Sequence, residues 1–168
     1  KVVVTYNETA GVMEAKLADD SESTAYVNTY DTSTYIDLGG TKSIANRNFK
    51  DGDKWTFTLK DEAGKEIDSK TIEPKSGKST TFTFARQTYE LKDLWNATDK
   101  KYEAKTYTYT VTESGTVSGV TNDPKVTRNV KVVVTYNETA GVMEAKLADD
   151  SESTAYVNTY GTSTYIDS

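Results

Sequence analysis

The chain has 168 residues, 35% of them apolar, with no cysteine, no histidine and a formal net charge of −6. This composition excludes disulfides, Cys or His zinc sites, thiol nucleophiles and His-based triads. The acidic balance argues against nucleic acid or an anionic membrane face as a partner.

Along the chain, residues 1–30 (KVVVTYNETAGVMEAKLADDSESTAYVNTY) return unchanged at 131–160. After a single difference, Asp31 against Gly161, the match resumes through TSTYID at 32–37 and 162–167. An offset of 130 residues is too long for a solenoid repeat and has the size of a whole domain. The reading is a tandem array: 1–37 is a duplicated tail with its linker, 38–160 is one complete domain, and 161–168 starts the next linker. An engineered duplication is the rival explanation. One domain body thus has two tails available. An isolated two-stranded hairpin is marginal in water, so 131–160 is expected to fill the body and 1–30 to be an add-on. No apolar run is long enough to span a bilayer and there is no signal peptide, so any targeting or anchoring segment is expected outside this sequence.

Alternation of period two dominates the body. In GTKSIAN, Lys42 shares a side with Ile44. In KWTFTLK (54–60), Trp55, Phe57 and Leu59 face one way; a DEAGK turn and a second strand over 66–73 follow. TFTF at 81–84 turns Phe82 and Phe84 inward. TYELKDLWNA (88–97) carries Leu91, Leu94 and Trp95 at roughly helical spacing and is the one candidate short helix. TYTYTVTE (106–113) aligns Tyr107, Tyr109, Val111 and Glu113 on one face. Val130, Val132, Val134 and Tyr136 define a long strand, Met143, Ala145 and Leu147 another, and STAYVNTY (153–160) the last. Pro74 and Pro124 fall between strands, as the missing N–H of proline requires. The twelve tyrosines and many threonines and valines suit pleated, half-buried strands, and their patterning argues against an acidic disordered segment. The fold class is all-β, an immunoglobulin-like β-sandwich with at most one short helix.

Three polar residues lie on apolar faces: Lys42, Glu113 and Asn158, the last sharing a side with Tyr156 and Tyr160, although Val157 opposite leaves its direction open. Lysine and glutamate are almost never fully buried unless paired, and an amine, a carboxyl and a carboxamide in one core are costly unless they satisfy one another or react. Singly, each residue reads more readily as an ordinary sheet-edge or turn residue; together, with the lysine on the first strand and the asparagine on the last, those readings lose ground.

The run TKSIANRNFKDGDKWTFTL, then YTYTVTE, then AYVNTY resembles the isopeptide-linkage domains of Gram-positive backbone pilins, streptococcal ones among them, and of related adhesin stalks (the CnaB or pilin type). The resemblance covers 38–160. It departs from the family in reading YVNTY where phenylalanine commonly precedes the asparagine. It implies that Lys42 is the amine, Asn158 the acceptor and Glu113 the catalytic acid, with Asn28 the counterpart of Asn158 in the leading tail. An exposed lysine, with its pKa near ~10.4, is protonated and a poor nucleophile at neutral pH. Burial is expected to bring it down and to keep Glu113 neutral. Glu113 would then polarise the Asn158 carbonyl and pass a proton to departing ammonia, once per chain, so the protein is not an enzyme.

The resemblance further implies a structural spacer of a surface pilus or repetitive adhesin, cell-wall-attached and extracellular, with identical repeats head to tail as neighbours. The alternatives are an adhesin module binding a host matrix protein or glycan, and an engineered ligation scaffold. No cofactor and no metal are expected. PKSGKST (74–80) lacks the first glycine of a phosphate loop, having Ile72 there, and the acidic runs at 18–23, 51–53 and 148–153 lack calcium-loop spacing.

Overall fold

The computed structural model describes residues 1–161, so the expected linker start beyond Gly161 lies outside the described residues. The chain divides into two compact units, Lys1–Tyr30 and Asp31 onward. The first is a hairpin of β1 (Val2–Asn7) and β2 (Val12–Leu17), in register from Val2 opposite Leu17 to Asn7 opposite Val12. Its turn is made by the Asn7 side chain, which accepts the N–H of Thr9 and Ala10, and by Gly11 at a φ of 65°.

In the second unit the strands run β3 (Ser33–Ile36), β4 (Gly39–Ala45), β5 (Trp55–Lys60), β6 (Glu66–Ile72), β7 (Ser79–Thr83) and β8 (Gln87–Glu90). After a 3-10 turn at Leu91–Leu94 come β9 (Trp95–Asn96), β10 (Lys101–Tyr102), β11 (Lys105–Ser114) and β12 (Val120–Thr121). The identical tail copy contributes β13 (Thr127–Asn137, which begins just before the repeat), β14 (Val142–Leu147) and β15 (Ala155–Tyr160). One sheet has the order β14-β13-β11-β5-β6 and the other β12-β15-β4-β7. Strand β3 pairs with β8. That pairing gathers 31–37 with the body, where the sequence groups them with the leading tail.

The two sheets form an immunoglobulin-like sandwich because each strand turns one apolar row inward. Trp55, Phe57 and Leu59 from β5 and Val130, Val132 and Val134 from β13 meet Ile44, Phe82 and Tyr156 from the facing sheet. Phe57 stacks on Phe82 across the interior at a centroid distance of 3.9 Å. Each such side chain contributes about 1.5–3 kcal/mol by leaving water. The outward threonines pair across strands, Thr56 with Thr71 and Thr112 with Thr127.

Residues 88–97 do not form an α-helix. Tyr89 alternates with exposed Thr88 and Glu90 and is drawn into the core as part of β8, where its hydroxyl bonds that of Tyr109 at 2.5 Å. The 3-10 turn then buries Leu91 and Leu94 and leaves Trp95 half exposed against Tyr102. Burial of Tyr89 outweighs the helical spacing of the residues after it.

Candidate functional site

Strands β4 and β15, the first and last long strands of the body, lie side by side and parallel, with Tyr156 opposite Lys42 and Asn158 opposite Ile44. Their entry is fastened at Thr154. Its hydroxyl donates to the Gly39 carbonyl at 2.6 Å, and its own carbonyl accepts the Thr41 N–H at 3.1 Å. Gly40 permits this approach, since a Cβ there would sit 2.3 Å from the Thr154 oxygen. The pleat then turns Lys42 and Asn158 into the interior, both 0% exposed, while Val157 points out. Asn158 thus shares the inward side of Tyr156, the direction that alternation alone leaves open.

Glu113 reaches the same spot from the opposite sheet. Paired opposite Phe57, it continues the inward row of Tyr109 and Val111 and is 3% exposed. Its Oε2 accepts both a short hydrogen bond from the Lys42 ammonium and one of 3.2 Å from Asn158 Nδ2. Amine and carboxamide nitrogen therefore share a single acceptor oxygen. The other oxygen, Oε1, is buried with no hydrogen-bond partner, a situation that costs about 1–3 kcal/mol. Lys42 Nζ also sits 4.3 Å from the centre of the buried Trp55 ring.

Burial pushes the Lys42 amine below its usual range, against the hydrogen bond and charge of Glu113, which act upward. An ammonium is costly in so enclosed a place, and that cost is what drives the Lys42 amine toward its neutral form. The arrangement can present a neutral amine beside a carboxamide with a proton carrier at both nitrogens.

The Asn158 carboxamide is held at both ends. Nδ2 also donates to Asn122 Oδ1 at 3.0 Å, and Oδ1 accepts the backbone N–H of Asp123 at 2.8 Å. A backbone N–H can only donate, which fixes the oxygen of Asn158 toward Asp123 and the nitrogen toward Glu113. Glu113 therefore serves the two nitrogens, and the carbonyl oxygen that the sequence reading assigned to it is met by Asp123. Asn122 is itself held by a 2.8 Å bond from its Nδ2 to the Gly115 carbonyl. Gly115, at a φ of 115°, lies where a Cβ would come within 3.0 Å of the Lys54 oxygen.

The structure thus gathers Lys42, Glu113 and Asn158. Asn28 stands exposed in the hairpin unit. Asn122 and Asp123 were missed, being turn residues without a periodic signal. Arg128, which bridges to Asp123 at 3.1 Å, was missed too, although its inward parity with Val130, Val132 and Val134 is a signal that could have found it. Among the described residues no cluster of acidic side chains is arranged to hold a metal.

Residues 38–161 match the family model of the Spy0128-like isopeptide-containing domain (FctA). A solved structure, the major pilin protein T-13 of Streptococcus pyogenes, aligns with a TM-score of 0.43 and 17% identity over 79% of this chain. The chain spans 54% of that pilin's length. No curated protein matches the chain. The chain belongs to the Spy0128-like isopeptide-containing domain family.

Proposed function

We propose that this member of the Spy0128-like family is a structural spacer of a Gram-positive surface pilus or repetitive stalk, locked by an amide bond that forms between Lys42 and Asn158. The observation that carries the reading is the meeting of Lys42 and Asn158 on one oxygen of Glu113 in a core shielded from solvent.

The reaction needs no external reagent. Neutral Lys42 Nζ attacks Cγ of Asn158, and a C–N bond forms as the carbonyl electrons move onto oxygen. Glu113 gives its proton to Nδ2 and takes one from the new ammonium nitrogen. The Cγ–Nδ2 bond breaks, the carbonyl reforms and one ammonia leaves, with Glu113 as it began. Amides resist attack, and proximity supplies much of the acceleration, since well-oriented groups reach effective molarities of ~10⁵–10⁸ M. The event occurs once per chain, and the protein has no turnover.

The bond would join the two neighbouring parallel strands β4 and β15, linking residues 116 apart in sequence. By analogy with a disulfide, the loop-entropy model gives ~4–5 kcal/mol of stabilisation. Tension pulling on the two ends of the body would pass through this bond and spare the strands between, a property that a chain without cysteine cannot obtain from disulfides.

The repeated tail supports an arrangement of identical repeats head to tail. Val132, Val134 and Tyr156 are buried in the body, whereas their counterparts Val2, Val4 and Tyr26 are 64%, 56% and 90% exposed. The leading tail has the sequence that completes a body, and in a stalk it would complete the one before. Cell-wall attachment belongs to the same proposal.

The test is the intact mass of the denatured protein. A mass short by one ammonia, restored in Lys42→Ala and in Glu113→Ala, is the expected result. A full mass in the parent protein refutes the crosslink.

A further inference from the structure

We propose that the Asn122–Asp123 turn is the oxyanion-binding element of the bond-forming reaction, with the Asp123 N–H as the catalytic donor and Arg128 as a positioning residue. This rests on the crosslink reading above and concerns the half of the reaction that Glu113 does not reach.

When Lys42 Nζ bonds to Cγ of Asn158, negative charge develops on Oδ1. The group facing that oxygen is the Asp123 N–H, 2.8 Å away. A donor in place before reaction, in a site closed to water, stabilises such charge without reorganising. At the other end of the carboxamide, Asn122 Oδ1 and Glu113 Oε2 both accept from Nδ2. Three hydrogen bonds therefore set the plane of the amide and leave the leaving nitrogen beside its proton source.

The donor is itself pinned. The Asp123 carboxylate accepts the N–H of Val157 at 3.1 Å, so the donor residue is tied to the strand that bears Asn158, one residue away. It also accepts the Lys125 N–H at 3.0 Å and lies 3.1 Å from Arg128 Nη2. Arg128 is fixed in turn by bonds to the carbonyls of Lys125 and Ser153, each 2.7 Å, and lies over the Tyr156 ring at 4.5 Å. Pro124 restricts Asp123 to extended backbone from the other side. Burial alone would raise the Asp123 carboxyl. The N–H groups of Val157 and Lys125, with Arg128, outweigh burial and hold it below its ordinary value. An ionised Asp123 keeps Arg128 bound and the turn in place, so a charged pair at the rim of the core aims a neutral backbone donor into it.

The experiment follows crosslinking of the full chain during timed cell-free synthesis, with samples quenched in denaturant and read by intact mass across a range of pH. Asp123→Ala and Arg128→Ala are expected to slow ammonia loss on the order of 10²-fold, the scale set by a lost oxyanion donor or a misplaced reacting group. Arg128→Lys, which keeps the charge, is expected to recover part of that loss. The shape of the pH profile should match the parent's, because the proton carrier is untouched. Each substitution is also placed in the uncrosslinkable Lys42→Met chain, where its thermal unfolding reports folding apart from chemistry. Folded variants that crosslink at the parent rate overturn the proposal, as does a rate loss matched by loss of the folded state in that background. If Asp123→Ala alone fails to fold, Arg128→Lys against Arg128→Ala decides. A parent protein of full mass overturns the crosslink reading and this one with it. A parent short by one ammonia beside undiminished variants overturns this one only.

Discussion

Replacing Lys42 by methionine removes the amine while keeping most of the volume of a side chain that is fully buried. Two losses follow. The crosslink disappears, worth ~4–5 kcal/mol in the loop-entropy model. Glu113 also loses the N–H donor that Lys42 Nζ presents to it, and a buried acceptor left without its partner costs about 1–3 kcal/mol. The double variant Lys42→Met/Glu113→Gln separates the two, since it removes the carboxyl group together with its donor and should retain mainly the crosslink loss. For a body of this size, roughly 3–5 °C of melting temperature accompany each kcal/mol. The double variant is thus expected to melt about 12–25 °C below the crosslinked parent, and the single variant lower still. Calorimetry on chains whose mass has been checked makes the measurement. A double variant melting within about 2 °C of a crosslinked parent would refute the reasoning, because the bond would then contribute nothing to stability.

Asn28→Ala should leave the loss of ammonia intact, whereas Asn158→Ala should abolish it; intact mass distinguishes the two tails directly. Asp53→Asn disrupts a nearly buried carboxylate held by Arg47 at 2.7 and 3.0 Å, at a cost of about 3–5 kcal/mol near neutrality. The Arg47 hydrogen bond is the main cause holding the Asp53 carboxyl below its ordinary value, so its contribution is present above that value and is lost as the pH falls through the lowered one. The gap in urea midpoint between Asp53→Asn and the parent should therefore close in strong acid, and a gap independent of pH would refute the assignment. Tyr109→Phe strands the Tyr89 hydroxyl and should cost about 1–3 kcal/mol, while the double change of Tyr89 and Tyr109 to Phe should cost less than the single one in the same denaturation assay. Gly40→Ala would drive a Cβ against the Thr154 carbonyl and is expected to lower both the melting temperature and the yield of crosslink.

The sequence by itself determined the strands whose inward rows alternate cleanly. Trp55-Phe57-Leu59, Tyr109-Val111-Glu113 and Val130-Val132-Val134 each declare a buried face, because a period of two admits only one orientation once a core exists. The same logic made Lys42 and Glu113 conspicuous, as charged residues standing in apolar rows. The same parity marks Arg128, which the sequence reading passed over. What alternation cannot carry is pairing between distant strands. Only the tertiary structure decided that β4 and β15 lie parallel and adjacent, which settles the direction of Asn158 and brings it to the oxygen that Lys42 holds. It also decided that Tyr89 is drawn into a strand against the helical spacing of Leu91, Leu94 and Trp95, since burial of a large aromatic ring outweighs weak local preference. Asn122 and Asp123 lie in a turn, where side-chain and backbone directions follow from contacts to residues far along the chain. Their position over the Asn158 carboxamide is a property of the assembled core, fixed by Gly115, Val157 and Arg128 together.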